Sequence, residues 1–170
     1  MSDPIIDKFF IHLIDCRDTD NLIIKGHILT EHALNFFIEM QSVEKMDKNA
    51  KFTYSNKIEI AQILGLFKNN HELKKELKLL NKLRNSIAHN LKYDKDALKQ
   101  FLLSFKKVKD AFKDGKTENL EDDEEVYFEQ AEGKFKVSGG HMKFMLLICY
   151  MCGQIFSLGS KKDNKENNNA

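Results

Sequence analysis

Leu83-Arg84-Asn85-Ser86-Ile87-Ala88-His89-Asn90 closes the most regular helical pattern in the chain and breaks that pattern's own rule. At about 100° per residue, Leu73, Leu77, Leu80, Ile87 and Ala88 fall on one stripe and predict a helix from about Asn70 to His89. Arg84 falls inside the stripe. A guanidinium in an apolar seam is costly unless it is paired, or unless the seam opens onto a cleft or interface. If the role is structural, Arg84 pairs with a carboxylate such as Glu31 across a bundle. Beside the stripe, Asn81, Asn85 and His89 follow at i, i+4 and i+8, a polar line ending in the side chain that titrates nearest neutral pH.

The flanking sequence supplies more helices. Pro4, Ile5, Ile6, Phe9, Phe10, Leu13 and Ile14 predict an amphipathic opening helix to about Cys16. Asp18-Thr19-Asp20 offers cap chemistry for a second helix, about Asn21 to Gln41. Gly26 inside that helix costs about 1 kcal/mol relative to alanine, which points to a close helix crossing. Residues 42–51 read as a loop. Ser55 is placed as the cap of a third helix, Asn56 to Phe67, and Asn69-Asn70 turns the chain into the Arg84 helix. Asn90 is expected to end that helix in the left-handed conformation. His89 then sits at a helix C-terminus, where the dipole favours positive charge.

Asp94 or Asp96 next caps a helix carrying Leu98, Phe101, Leu102, Phe105, Val108 and Phe112, stopped by Asp114-Gly115. Val126-Tyr127-Phe128 and Lys134-Phe135-Lys136-Val137 predict a small β-hairpin, with Gly139-Gly140 as punctuation after it. The last helix, about His141 to Leu158, is apolar nearly all round and needs the core or a partner subunit to cover it. The fold class is therefore all-α. A bundle of about five to six helices carries a hairpin insertion before the last one, as a single domain over 1–159, with 160–170 a disordered polar tail.

The 170 residues carry a net charge of only +1, which hides an asymmetry. Between Lys68 and Lys116 there are 14 Lys/Arg and 6 Asp/Glu, and between Glu118 and Glu132 there are 8 acidic residues and no basic ones. The basic block surrounds the Arg84–His89 segment and suits a polyanionic substrate, although Lys-rich helix faces are usually solvated surface. No signal peptide is visible. The longest apolar run, Phe144 to Cys152, falls short of the ~20 residues of a bilayer span, so the reading is cytoplasmic and without a membrane partner.

Cys149-Tyr150-Met151-Cys152 has redox spacing but lies within an apolar helix, which points to core packing, and Cys16 reads as a lone buried thiol. His12, His27, His32, His71 and His141 form no spaced metal constellation, and no phosphate-binding glycine loop appears. No cofactor or metal is therefore expected.

Arg84-Asn85, three intervening residues and His89 resemble the signature of the HEPN superfamily, small helical domains that include metal-independent ribonucleases. Upstream, Gly26-His27-Ile28-Leu29-Thr30-Glu31-His32-Ala33-Leu34 looks like the helix preceding that motif. Lys57-Ile58-Glu59-Ile60-Ala61-Gln62-Ile63-Leu64-Gly65-Leu66 is similar to a segment of the mannitol operon repressor branch. The likeness spans roughly residues 22–103. It implies an endoribonuclease of toxin or defence type, with Arg84 clamping phosphate, Asn85 orienting or contacting substrate, and His89 as general acid/base. A regulatory or antitoxin partner goes with that reading, and a homodimer is expected because one helix end supplies only one arginine and one histidine and because the last helix is apolar nearly all round.

The mannitol operon repressor branch implies the alternative, a non-catalytic regulatory or protein-interaction module. In HEPN toxins neutralised by nucleotidyltransferase antitoxins, a modified tyrosine follows the histidine by two residues. This chain has Leu91 there and Tyr93 two positions further on.

Overall fold

The computed structural model describes residues 13–14, 16, 18–43, 51–108, 121–123, 125–130 and 133–160. Most of the expected opening helix, the 44–50 part of the loop, Phe112 with Asp114-Gly115, and nearly all of the polar tail lie outside these residues. Leu13 and Ile14 are helical and fully buried.

The described residues form helices α1 (Thr19–Gln41), α2 (Tyr54–Ile63), α3 (His71–Asn90), α4 (Lys95–Leu103), a single turn α5 (Phe105–Val108) and α6 (Gly139–Gly159). Strands β1 (Glu125–Gln130) and β2 (Gly133–Ser138) precede α6 as an antiparallel hairpin, with Val126 opposite Val137. This is the all-α bundle with a hairpin insertion that the sequence predicts.

Helix α1 runs parallel to α6 at van der Waals contact, because Gly26 has no side chain to hold them apart. A Cβ there would lie 3.0 Å from Ile148 and Phe144 side-chain atoms. The expected crossing is thus between the second and last helices. At the far end, Phe36 lies over Gly159 and its ring centroid is 4.9 Å from that of Phe156.

Helix α6 has 21 residues and a mean hydropathy of 1.5, long and apolar enough on composition alone to cross a bilayer. In this fold it supplies the core: Phe144, Met145, Leu147, Ile148, Cys149, Met151, Cys152 and Ile155 are all buried. Among the described residues, none of the exposed large apolar side chains lies on α6. Its own bundle covers it, so its apolarity is no argument for a partner subunit.

Asp18 caps α1 by accepting from the Asn21 amide at 2.8 Å, and Asp94 caps α4 through Ala97. Other boundaries differ from expectation. Thr53, not Ser55, caps α2. That helix ends early, because Gly65 takes a positive φ of 91° and lets the Leu66 amide reach the Ala61 carbonyl, which buries Leu66 and Phe67. Ser138 caps α6, so Gly139-Gly140 opens the helix instead of punctuating it. Asn90 remains helical and Leu91 takes the left-handed cap (φ 58°). The Leu98-bearing helix breaks at Ser104 into α4 and α5.

Candidate functional site

Helices α2 and α3 pack antiparallel. Glu59 pairs with Lys74 and Lys78, and near the start of α2 Ser55 accepts a hydrogen bond from the Asn81 amide at 3.1 Å. Toward the C-terminus of α3, α2 has already begun and can cover nothing further. Leu77, on the same side as Arg84, is fully buried, whereas Arg84 itself is exposed. The angular reading of the stripe was sound. The seam opens at Arg84 and Ala88, which are exposed, while Leu83 is buried and Ile87 stays half-buried against the core. Arg84 does not pair with Glu31. It donates to Asn85 Oδ1 at 3.3 Å, while Glu31 pairs with Lys57 at 2.7 Å.

This uncovered end forms a cleft of about 470 Å³ between α1, the start of α2 and α3. Arg84, Asn81 and Asn85 line one wall, and Glu31 and Phe52 line others. His27 and Tyr54 form the floor, with His27 only 7% exposed. The His27 ring stacks on Tyr54 with centroids 4.0 Å apart and planes 30° apart. Its Nε2 lies 3.3 Å from Asn81 Oδ1. That oxygen can only accept, so Nε2 carries the proton.

Burial pushes the imidazole below its ordinary pKa, opposed by the Asn81 bond and the Glu31 charge, which leaves the ring neutral near pH 7. Beneath it, Thr30 donates to the Gly26 and His27 carbonyls and lies 2.8 Å from the Tyr54 hydroxyl, which must therefore be the donor between them. Burial raises the Tyr54 pKa far above its usual range, so the phenol stays protonated.

His89 lies elsewhere. It is exposed in the last turn of α3, in an open groove of about 440 Å³ with Lys78, Lys82, Asn90 and Asp94. Asn81 and Asn85 line both hollows, so the amides of the predicted polar line form the ridge between the Arg84 cleft and the His89 groove. Arg84 and Asn85 come together in one site, and His89 stands on the far side of that ridge.

The basic block is partly neutralised on α3. Lys74 and Lys78 meet Glu59, Lys75 meets Glu72 at 2.8 Å, and Lys82 meets Asp94 at 2.8 Å. From the acidic segment, Asp122 pairs with Lys143 on α6 at 2.7 Å. The three cysteines are buried in the core, and burial raises the Cys152 thiol pKa strongly, which makes it inert. Among the described residues no group of three His, Cys, Asp or Glu side chains is arranged to hold a metal.

Sequence reasoning passed over His27 and Tyr54. His27 reads in the sequence as one of several scattered histidines, and its signals are its place in the Gly26–Leu34 segment and its adjacency to Gly26, where α1 closely approaches α6. Compared with family models, curated proteins and solved structures, the chain matches none.

Proposed function

We propose that the protein is a metal-independent endoribonuclease of the HEPN toxin or defence type, acting on RNA in the cytoplasm. The observation that carries this reading is the ridge of Asn81 and Asn85, which joins a cleft holding an arginine that meets no carboxylate among the described residues to a groove holding an exposed histidine. Cleavage through the 2′-hydroxyl needs a group that moves protons and a cation that stabilises charge gathering on phosphorus, which are the roles of His89 and Arg84. Asn85 holds the guanidinium in line for phosphate. One subunit offers a thin apparatus for both proton transfers, so the active unit in this reading is a homodimer that brings two α3 ends to one strand.

The test is RNA cleavage by the purified chain in excess chelator, with 2′,3′-cyclic phosphate ends expected and a 2′-deoxy substitution at the cut site abolishing the reaction. Arg84→Lys should lose most activity while melting normally, since an ammonium cannot donate bidentately. Cleavage that requires Mg²⁺, or that survives the 2′-deoxy change, overturns the assignment.

A second reading, a non-catalytic regulatory or protein-interaction module similar to the mannitol operon repressor branch, is favoured by one feature. His89 is exposed and makes no hydrogen bond to another described residue that would orient it. Harmless expression of both the native chain and His89→Ala, with no RNA fragmentation from either, selects that reading.

A further inference from the structure

The Arg84 cleft has a donor and acceptor pattern of its own. Asn81 is committed on both sides, its Oδ1 to His27 and its Nδ2 to Ser55. Asn85 is committed on one: its Oδ1 accepts from Arg84, and among the described residues its Nδ2 donates to no partner. The Glu31 carboxylate binds Lys57 through Oε1, and among the described residues Oε2 has no partner. Phe52, 36% exposed, adds an aromatic face at the rim. A volume of about 470 Å³ lies within the roughly 300–1,000 Å³ typical of small-ligand sites.

From this pattern we infer that the cleft is a nucleobase pocket selective for guanine, and that it fixes where the RNA is cut. The inference rests on the ribonuclease reading for its substrate. Single-stranded RNA is read by splaying a base out, stacking it on an aromatic ring and bonding its exposed edge. Among the four bases only guanine presents two adjacent N–H donors, N1–H and N2–H, to a carboxylate, while its neighbouring O6 accepts from an amide. Glu31 on α1 and Asn85 on α3, which both line the cleft, supply that pair of partners, and Phe52 supplies the stacking face. The guanidinium of Arg84 remains at the mouth for the phosphate that follows the bound base. Adenine and cytosine each set a ring acceptor nitrogen beside an amino donor, so the carboxylate meets a lone pair where guanine offers N1–H, and the Asn85 amide meets a donor where guanine offers O6. Uracil sets one donor between two acceptors, which the carboxylate repels.

The test uses the full chain and fluorescent, uncleavable 2′-deoxy trinucleotides that differ only in the middle base, read by anisotropy, beside cleavage of an unstructured RNA mapped by sequencing. The guanine trinucleotide should bind about tenfold or more tightly than the other three. Glu31→Gln, which replaces one acceptor by a donor, should bring the four affinities together. Phe52→Ala should weaken all four alike; as its side chain is already partly exposed, it provides a well-folded variant should Glu31→Gln melt early. Equal binding of the four bases, or an undiminished guanine preference in Glu31→Gln, overturns the inference. RNA cut without regard to base likewise overturns it and leaves the ribonuclease reading standing. Guanine-selective binding with no RNA cleavage upholds the pocket and removes the nuclease.

Discussion

Replacing Gly26 by alanine sets helix propensity against packing, and the structure decides the sign. In an exposed helix interior the change stabilises by about 1 kcal/mol. Here the new Cβ would meet Ile148 Cδ1, Ile148 Cγ1 and Phe144 Cε1, all at 3.0 Å. Both neighbours are buried on α6, Ile148 at 0% and Phe144 at 1% exposure, and Phe144 is itself held against Phe101 with centroids 5.0 Å apart. Neither has an open direction in which to give. Overpacking of this kind costs about 1–3 kcal/mol, so Gly26→Ala should be destabilised by roughly 1 kcal/mol net.

Urea unfolding at fixed slope measures it as a fall in midpoint. Ile148→Val removes Cδ1 and by itself costs about 0.5–1.5 kcal/mol. In the double variant it should relieve part of the clash, giving a coupling of at least about 0.5 kcal/mol. A raised midpoint in Gly26→Ala, or strict additivity in the double variant, would refute the close crossing. The site provides a second readout. His27 follows Gly26 directly, so displacing α1 from α6 should disturb the His27–Asn81 bond and lower any activity by more than the loss of folded protein explains.

Acidification should destabilise the fold. Burial holds the folded-state pKa of His27 below its ordinary 6.5, and burial lowers that of His141 also, opposed by Asp18. The unfolded chain then binds more protons below pH 6.5, so stability is full above that value and falls as pH drops toward the folded pKa, by at most about 1.4 kcal/mol per pH unit for each group. Urea midpoints from pH 7.5 to 5 should fall less in His27→Gln than in the native chain; identical pH profiles would remove His27 as the cause. Leu91→Gly should stabilise by about 0.5–1 kcal/mol, since the left-handed cap strains any side chain and Leu91, 88% exposed, has no burial to lose. A lower thermal midpoint would contradict this. If the active unit is a dimer with a shared site, Arg84→Ala and His89→Ala subunits, each inactive alone, should partly restore cleavage on mixing, and no recovery after exchange would exclude a composite site.

The sequence carried most of the fold because its signals are local and unambiguous. A glycine in an apolar helix has little purpose other than close approach, and Gly26 has that role. Asp18 and the Asp94/Asp96 pair mark helix starts, with the structure choosing Asp94, and the all-apolar pattern of α6 calls for cover that here comes from the core. The boundary of α2 was misread because Thr53 and Ser55 are equally good caps, and only Tyr54, buried with its hydroxyl donating to Thr30, decides between them. Arg84 was placed on the right face of the right helix, but periodicity carries no record of where a neighbouring helix starts. The hydroxyl and amide bonds that bring His27, Tyr54 and Asn81 together join residues distant in the chain, and a single sequence gives no sign of them.

The same geometry sorts the candidate residues by what their mutation can teach. His27, Thr30 and Tyr54 are buried and bonded to one another or to Asn81, so removing any of them leaves an unmet polar group and destabilises the bundle as well as altering the cleft. Loss of activity there cannot be assigned to chemistry. Arg84 and His89 are exposed, because both stand beyond the reach of α2, and the core keeps its contacts without them. Substitutions at these two positions should therefore leave the melting temperature nearly unchanged, which makes them the informative ones: any function lost with folding intact belongs to the site itself.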